Sequence, residues 1–357
     1  MSKIVTFPGL GLEFELNPIA FTVFGWEVHW YGVIIACGFL LAVLYCYWRA
    51  PRFGVDQEKL IDMLFFAVPL CIIGARAYYV IFDPAVCFDA DGSFSLYNMI
   101  AIWDGGLAIY GAIIMAILTV AVYCKVRRQN FWDYTDIGCF GVLIGQMVGR
   151  WGNFVNVEAF GGVTDVPWRM CSQSIADYLL QHGLVDEAAY QQVLDGTLGV
   201  HPTFLYESLW NLLGFIILVI IARRGRKFNG QLFLSYVVWY GLGRAVIEGM
   251  RTDSLYFFGT GLRSSQILGL ASAVVAIVVM AIRFKTAGPP TPPSYAAAGT
   301  GQENGPAAVA TEGEKGEAPE EGDVSAQDAD NATTDGPDTE EKTKQEDEDD
   351  GSDPDRR

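Results

Sequence analysis

Residues 137–162 read IGCFGVLIGQMVGRWGNFVNVEAFGG, and the first half of this stretch decides the architecture. From Ile137 to Gly149 there is no charged residue. Extended back to Tyr134 and forward to Asn153, the run matches the roughly 20 helical residues that cross a hydrocarbon core. Arg150, Asn153, Asn156 and Glu158 then follow in quick succession. An unpaired guanidinium is costly among lipid tails, so Arg150 marks a functional-site candidate whose partner lies elsewhere in the chain. Gly138, Gly141, Gly145, Gly149 and Gly152 recur at spacings of three and four. Such a stripe lets helix backbones approach closely in lipid, which predicts a central helix. Gln146, Arg150 and Asn153 form the adjacent stripe and are expected to face protein or a cavity.

Outward from this stretch, similar runs recur. Windows of membrane-spanning length lie near Trp30–Trp48, Leu60–Phe82, Trp103–Cys124, Tyr134–Asn153, Thr203–Ala222, Gln231–Met250 and Ser264–Arg283. The expected fold is an all-α polytopic membrane protein with seven transmembrane helices. The chain has 357 residues, is 51% hydrophobic and carries a formal charge of −17. That charge is unevenly placed: residues 286–357 hold 20 Asp/Glu against 5 Lys/Arg, which leaves only −2 for residues 1–285. Residues 1–285 are therefore predicted to form the membrane domain, with 154–202 as a small polar cap on its outer side. The acidic remainder is too poor in apolar residues to offset its ordering entropy and is predicted to be disordered and dispensable after Lys285.

Direction follows from Lys and Arg in the connections. Arg49, Arg52 and Lys59, then Lys125, Arg127 and Arg128, then Arg223, Arg224, Arg226 and Lys227, then Arg283 and Lys285 all fall on one set of ends. Positive charge marks the cytoplasmic side, so the N-terminus is expected outside and the tail inside. Alternating direction then carries the embedded polar groups to one depth near the outer face. Arg150 and Asn153 meet there with Arg76, with Arg244, Glu248 and Arg251 at i, i+4 and i+7, and with His29, Trp30, Tyr31, Asp104, Tyr110, His201 and Glu207.

Several arginines with Tyr, Asn and His at that depth form a site for an anionic headgroup. A phosphodiester fits best, because guanidinium donors match phosphate oxygens in pairs. The competing structural reading is an intramembrane ion pair between Arg244 and Glu248, with Arg76 snorkelling and Trp30, Tyr31 and Trp103 acting as interfacial belt aromatics. Applied to the whole set, that reading leaves positive charge without an anion. His182 has no expected role, and His201 before Pro202 suits a hydrogen bond at a helix start. Five cysteines lie in apolar runs, whereas Cys87 and Cys171 fall in polar connections and would be able to pair if that side is oxidising. No Cys or His cluster has metal spacing, so no metal or other cofactor is expected, nor is a nucleic-acid partner.

GRWGNFVNVEAFGG resembles the signature of the prolipoprotein diacylglyceryl transferases, G-R-x-G-N-F-x-N-x-E followed closely by Gly. NPIAF, HWYG, GARAYYV, WDGGLAIYG, HPTFLYES and YGLGRAVIEGMR accompany it in order, so the resemblance covers roughly residues 4–284. It implies transfer of the diacylglyceryl group of phosphatidylglycerol to the lipobox cysteine of a prolipoprotein, giving a thioether and glycerol-1-phosphate. The implied setting is the bacterial cell membrane, with phosphatidylglycerol, the lipobox segment and membrane lipids as partners. Arg150, Arg244, Tyr110 and Glu248 become the catalytic candidates. Arg150, Asn153, Tyr31, Arg76, Asn156, Glu158, Gly161 and Arg251 become the phosphatidylglycerol contacts. The residue types suit this chemistry, since fixed arginines stabilise charge that grows on phosphate oxygens.

One position departs from part of the family. Some members carry His where this chain has Tyr110, and a phenol with an ordinary pKa near ~10 is a poor proton acceptor. A positioning role for Tyr110 is therefore expected, with His29, His201, Glu248 or no residue as the base. The rival function is a transporter or channel for an anionic solute, which calls for repeated halves or charges near the midplane. Neither pattern is present.

Overall fold

The computed structural model describes residues 2–89, 91–252 and 263–293. The predicted acidic tail, apart from residues 286–293, lies outside the described residues. Among the described residues the chain opens with two antiparallel hairpins, β1 (Lys3–Phe7) with β2 (Leu12–Leu16), and β3 (Ile19–Val23) with β4 (Trp26–His29). The helices α1 (Trp30–Arg49), α2 (Gln57–Phe82), α3 (Leu96–Ile100), α4 (Ile109–Val126) and α5 (Phe131–Asn156) follow. Next come β5 (Val163–Thr164), α6 (Gln173–Gln181), α7 (Glu187–Leu194) and β6 (Gly199–Val200). The helices α8 (Thr203–Arg224), α9 (Gln231–Ile247) and α10 (Ser264–Thr286) complete the order. The fold is mainly helical, consistent with the expected all-α membrane protein, and adds three small two-stranded sheets, of which β5 with β6 is joined across α6 and α7.

Among the described residues, five helices are long and apolar enough to cross a membrane: α1, α2, α4, α8 and α10. The expected fourth and sixth spans are the long helices α5 and α9, but α5 carries Asp133, Asp136 and Arg150 and α9 is only 17 residues long. The third span was expected from Trp103 and begins at Ile109 instead. Gly105 and Gly106, at φ 91° and 70°, turn the chain where apolarity alone suggested continuous helix. The sixth ends at Ile247, and Glu248–Met250 is a 3₁₀ turn.

The glycine stripe lies against α1. A Cβ at Gly141, Gly149 or Gly152 would meet Cys46 Sγ at 3.0 Å, Ile35 Cδ1 at 3.3 Å or Tyr31 Cδ2 at 2.9 Å. Side chains of α5, α1 and α8 build the main core around Phe140, Ile137, Leu143 and Leu218, all almost fully buried. α5 runs antiparallel to α1 and α8, α9 runs antiparallel to α8 and α10, and α5 and α9 run parallel, so the ends of α5 and α9 meet the starts of α1, α8 and α10. Gln266 at the start of α10 donates to Ala245 O, and Arg283 near its end donates to Asn229 O.

At that second end, the fully buried Asp136 of α5 accepts from Gly230 N and Phe233 N at 2.9 Å, and so caps the start of α9. Arg226 Nη1 completes its shell at 2.9 Å. Thr291 joins this cluster, donating its hydroxyl to Asp133 at 2.7 Å and its N–H to Asn229 at 2.8 Å. The expected boundary after residue 285 is therefore displaced: residues up to 293 belong with the helices.

A separate cluster forms from the connection 154–202. Phe160, Met170, Ile175, Leu179 and Val200 pack around Val5 and Phe7 of β1. Strand β1 joins this connection through Thr6 and Cys171, which exchange backbone hydrogen bonds of 2.9 Å. Cys87 and Cys171 are both free thiols and both buried. Burial pushes the Cys171 thiol up to about 11.

Candidate functional site

The signature stretch straddles the end of α5, and its residue types explain where the helix stops. Val157 occupies the left-handed region at φ 57°, ψ 52°, an uncommon conformation for a β-branched residue. Its N–H and that of Glu158 both return to Asn153 O, the latter at 3.0 Å. This reversal brings the Glu158 carboxylate back over the helix end. There Oε1 accepts from Asn153 Nδ2 at 2.8 Å and from Asn156 Nδ2 at 3.4 Å. Asn153 Oδ1 in turn accepts from Arg150 Nη1 at 3.3 Å. The polar half of the signature is one connected network, with Arg150 inside and Glu158 exposed.

The partner that Arg150 requires is Glu207, in the second turn of α8. Arg150 Nη2 lies 2.6 Å from Glu207 Oε2. Arg244 Nη1 from α9 approaches the same oxygen at 3.4 Å, and Arg251 Nη1 approaches Oε1 at 3.5 Å. Arg244 Nη2 also pairs with Glu248 at 2.7 Å. Both carboxylate side chains are 5% exposed, whereas the three arginines retain 13–21%. The carboxylates thus form the buried floor and the guanidiniums the accessible layer above it. Among the described residues, three guanidiniums and two carboxylates meet here. A buried carboxylate is tolerable only when paired and bonded in this manner.

Several bonds hold these helices in register. Trp151 Nε1 donates to Ser208 Oγ at 3.2 Å, and Ser208 Oγ donates to Met147 O at 3.0 Å, joining α5 to α8. Trp210 of α8 stacks on Trp239 of α9 at 4.2 Å, and each indole N–H donates to the other's carbonyl. Thr203 Oγ1 donates to Ala159 O. The closing glycines of the signature lace the remaining strands together. Gly161 N donates to His201 O at 2.9 Å, Gly162 N to Met250 O at 2.7 Å, and Gly161 bridges Arg251. A Cβ at Gly161 would lie 2.7 Å from His201 Cβ and 3.0 Å from Met250 O, so only glycine fits.

The expected site residues fall into two groups. Arg150, Asn153, Asn156, Glu158, Gly161, Arg244, Glu248 and Arg251 are joined directly or through backbone. Arg251 reaches Glu207 from extended backbone and not from a continuous helix face, which corrects the i+7 expectation. Tyr31 stands beside this group, its ring against Gly152. Among the described residues, no hydrogen bond or ion pair joins Arg76 or Tyr110 to it. Arg76 donates instead to the carbonyls of Asn98, Met99, Gly105 and Gly106, tying down the connection that leads into α4. Its guanidinium is therefore a loop brace, where a lipid contact was expected. Tyr110 packs on Tyr78 with ring centroids 6.3 Å apart.

His29 is exposed at the start of α1. His201 Nδ1 lies 3.2 Å from Tyr206 Oη, and burial holds this imidazole below its ordinary range. It is accordingly a neutral hydrogen-bonding group at pH 7. Glu207, expected at this depth, was not among the residues expected to act in the site. HPTFLYES placed it one turn and a half into α8, but its three partners come from elements far off in sequence.

Comparison of the sequence with known proteins points to one family. Residues 18–282 match the family model described as prolipoprotein diacylglyceryl transferase. A Listeria monocytogenes protein named phosphatidylglycerol–prolipoprotein diacylglyceryl transferase is 42% identical, over 79% of this chain and 95% of its own. A Bacillus velezensis protein of the same name is 41% identical over 75% of this chain and 92% of its own. A third from Pediococcus pentosaceus is 40% identical over 76% and 91%.

Proposed function

The chain belongs to the prolipoprotein diacylglyceryl transferase family and is an enzyme of that activity, and we propose that the Arg150–Glu207–Arg244–Arg251 cluster is its reaction site. The reaction moves the diacylglyceryl group of phosphatidylglycerol to the lipobox cysteine of a prolipoprotein. A carbon–sulfur bond forms at the glycerol carbon, the carbon–oxygen bond to phosphate breaks, and glycerol-1-phosphate leaves. The thiol proton is lost as sulfur attacks. Charge therefore grows on the departing phosphate oxygens, and the site must meet it with donors already in place.

The observation that carries this assignment is the convergence of three arginines on the buried Glu207. Glu207 gathers the three guanidiniums at one carboxylate. A phosphodiester laid on them accepts paired hydrogen bonds. Asn153, Asn156, Glu158 and Gly161 form the rim that receives the glycerol headgroup, with Tyr31 beside it. Tyr110 positions the lipid, and Arg76 acts indirectly by holding the connection before α4. Glu248 orients Arg244.

The protein is a multi-pass membrane protein. We place seven spans across the bilayer, adding α5 and α9 to the five apolar helices, since their charged groups pair within the protein. The arginine-rich connections then face the cytoplasm, and the site, the N-terminal hairpins and the cap 154–202 face outward, where the exported cysteine arrives. The test is direct. Purified protein, phosphatidylglycerol and a lipobox peptide should yield thioether-modified peptide, and Arg150→Ala should abolish the product while leaving the protein folded in detergent. Turnover at the wild-type rate in that variant would remove Arg150 from the site.

A further inference from the structure

A second group of arginines sits at the other end of the same helices. Arg223 lies sixteen residues beyond Glu207 on α8, about 24 Å along the helix at ~1.5 Å per residue. A cavity of about 410 Å³ there is lined by Arg49, Arg52, Phe53, Ala222, Arg223, Arg226 and Pro293. Arg226 already pairs with Asp133 and Asp136, and its guanidinium lies 4.6 Å over the Phe53 ring. The other three arginines differ. Among the described residues none of them makes an ion pair, and the charged groups nearest Arg49 include Arg52 and Arg223 but no carboxylate.

Arg49 is the informative member. It is only 6% exposed, and its Nε is fully buried with no hydrogen-bond partner. The guanidinium rests over the Trp48 ring at 5.5 Å and beside Tyr45, but with its Nε unpartnered and two like charges next to it, an anion would complete the site. The apolar surroundings indicate what kind of anion. Trp48, Leu44 and Ile220 are 64%, 54% and 43% exposed on the same two helices, leading away from the cavity into the hydrocarbon zone. We propose that this cavity is a second anion site, which takes the phosphate of an anionic phospholipid between Arg49, Arg52 and Arg223, with acyl chains along α1 and α8. The bound phosphate would clamp the α1–α2 turn to the end of α8, remote from the transfer chemistry.

Phosphatidic acid is the probe, because it carries a lipid phosphate without the glycerol headgroup of the substrate. Full-length protein in detergent is titrated with it and bound lipid is counted by native mass spectrometry. R52Q/R223Q changes two exposed residues and is expected to fold. It should lose one bound lipid, with affinity at that site down about tenfold or more for charge-assisted contacts. R224Q, a neighbouring arginine that does not line the cavity, should bind as wild type, and both variants should keep transfer within about twofold. Equal binding by wild type and R52Q/R223Q would overturn the proposal. Inorganic phosphate in the same titration separates the sources: lipid retained against excess phosphate supports a lipid site, and displacement at equal concentration overturns it. A chain ending at Pro293 that takes up lipid where the full chain does not would also overturn it, since the occupant would then be the chain's own carboxylates.

Discussion

Replacing Glu207 by glutamine tests the reaction site at its least visible member. The change keeps the side-chain shape and removes the charge that orders three arginines. For the 2.6 Å contact with Arg150, an effective dielectric near ~20 gives an attraction of roughly 6 kcal/mol before desolvation is counted. Measured costs of breaking buried pairs are lower, about 3–5 kcal/mol. The arginines keep 13–21% of their surface and can relax toward water, which places this case at about 3 kcal/mol, the low end of that range. That relaxation misaligns the donors that must meet the leaving phosphate, so the loss falls on the transition state. About 3 kcal/mol corresponds to roughly a hundredfold in kcat. Binding moves the other way, because one negative charge is removed and the site becomes more positive. The expected signature is kcat down about a hundredfold with KM for phosphatidylglycerol unchanged or lower. Initial rates with a fluorescent lipobox peptide, across phosphatidylglycerol concentrations in mixed micelles, supply both constants. A kcat within about threefold of wild type, or a loss carried wholly by KM, would refute the reasoning.

Gly161→Ala should cost about 1–3 kcal/mol from overpacking against His201 and Met250 and should lower transfer, because the displaced strand carries Arg251; an unchanged melting temperature would contradict the close approach. Tyr110→His should turn over faster than Tyr110→Phe, since only the former can hydrogen-bond phosphate; a wild-type rate in Tyr110→Phe would remove the hydroxyl from the reaction. Stopping the chain after Pro293 should leave melting temperature and turnover unchanged. Stopping it after Lys285 deletes Thr291 and its bonds to Asp133 and Asn229, and should destabilise the protein by about 1–3 kcal/mol as buried polar groups lose partners. Equal stability of the two truncations would show that residues 286–293 contribute nothing.

What was legible in the sequence is what depends on local composition. The long helices follow apolar runs, because a helix that satisfies its own backbone can be recognised from one segment alone. Errors occurred where backbone geometry outweighed apolarity. Gly105 and Gly106 end the apparent third span early, and Glu248–Met250 tightens into a 3₁₀ turn before Arg251. The N-terminal hairpins were missed because their strands are only four or five residues long and β1 finds its core in the connection 154–202.

The site shows the same division more sharply. Arg150 announced a need for a partner, but its partner is 57 residues away, and pairing across helices leaves no periodicity to read. Arg76 carried the same charge at the same expected depth, yet four carbonyls of one loop surround it. Residue type and depth therefore select arginines without separating one that braces a loop from those that converge on a buried carboxylate. The separation comes from the acceptors. Carbonyls surround the Arg76 guanidinium and direct its donors into the loop. Glu207 instead gathers Arg150, Arg244 and Arg251 from three elements onto one carboxylate, the convergence on which the proposed site rests.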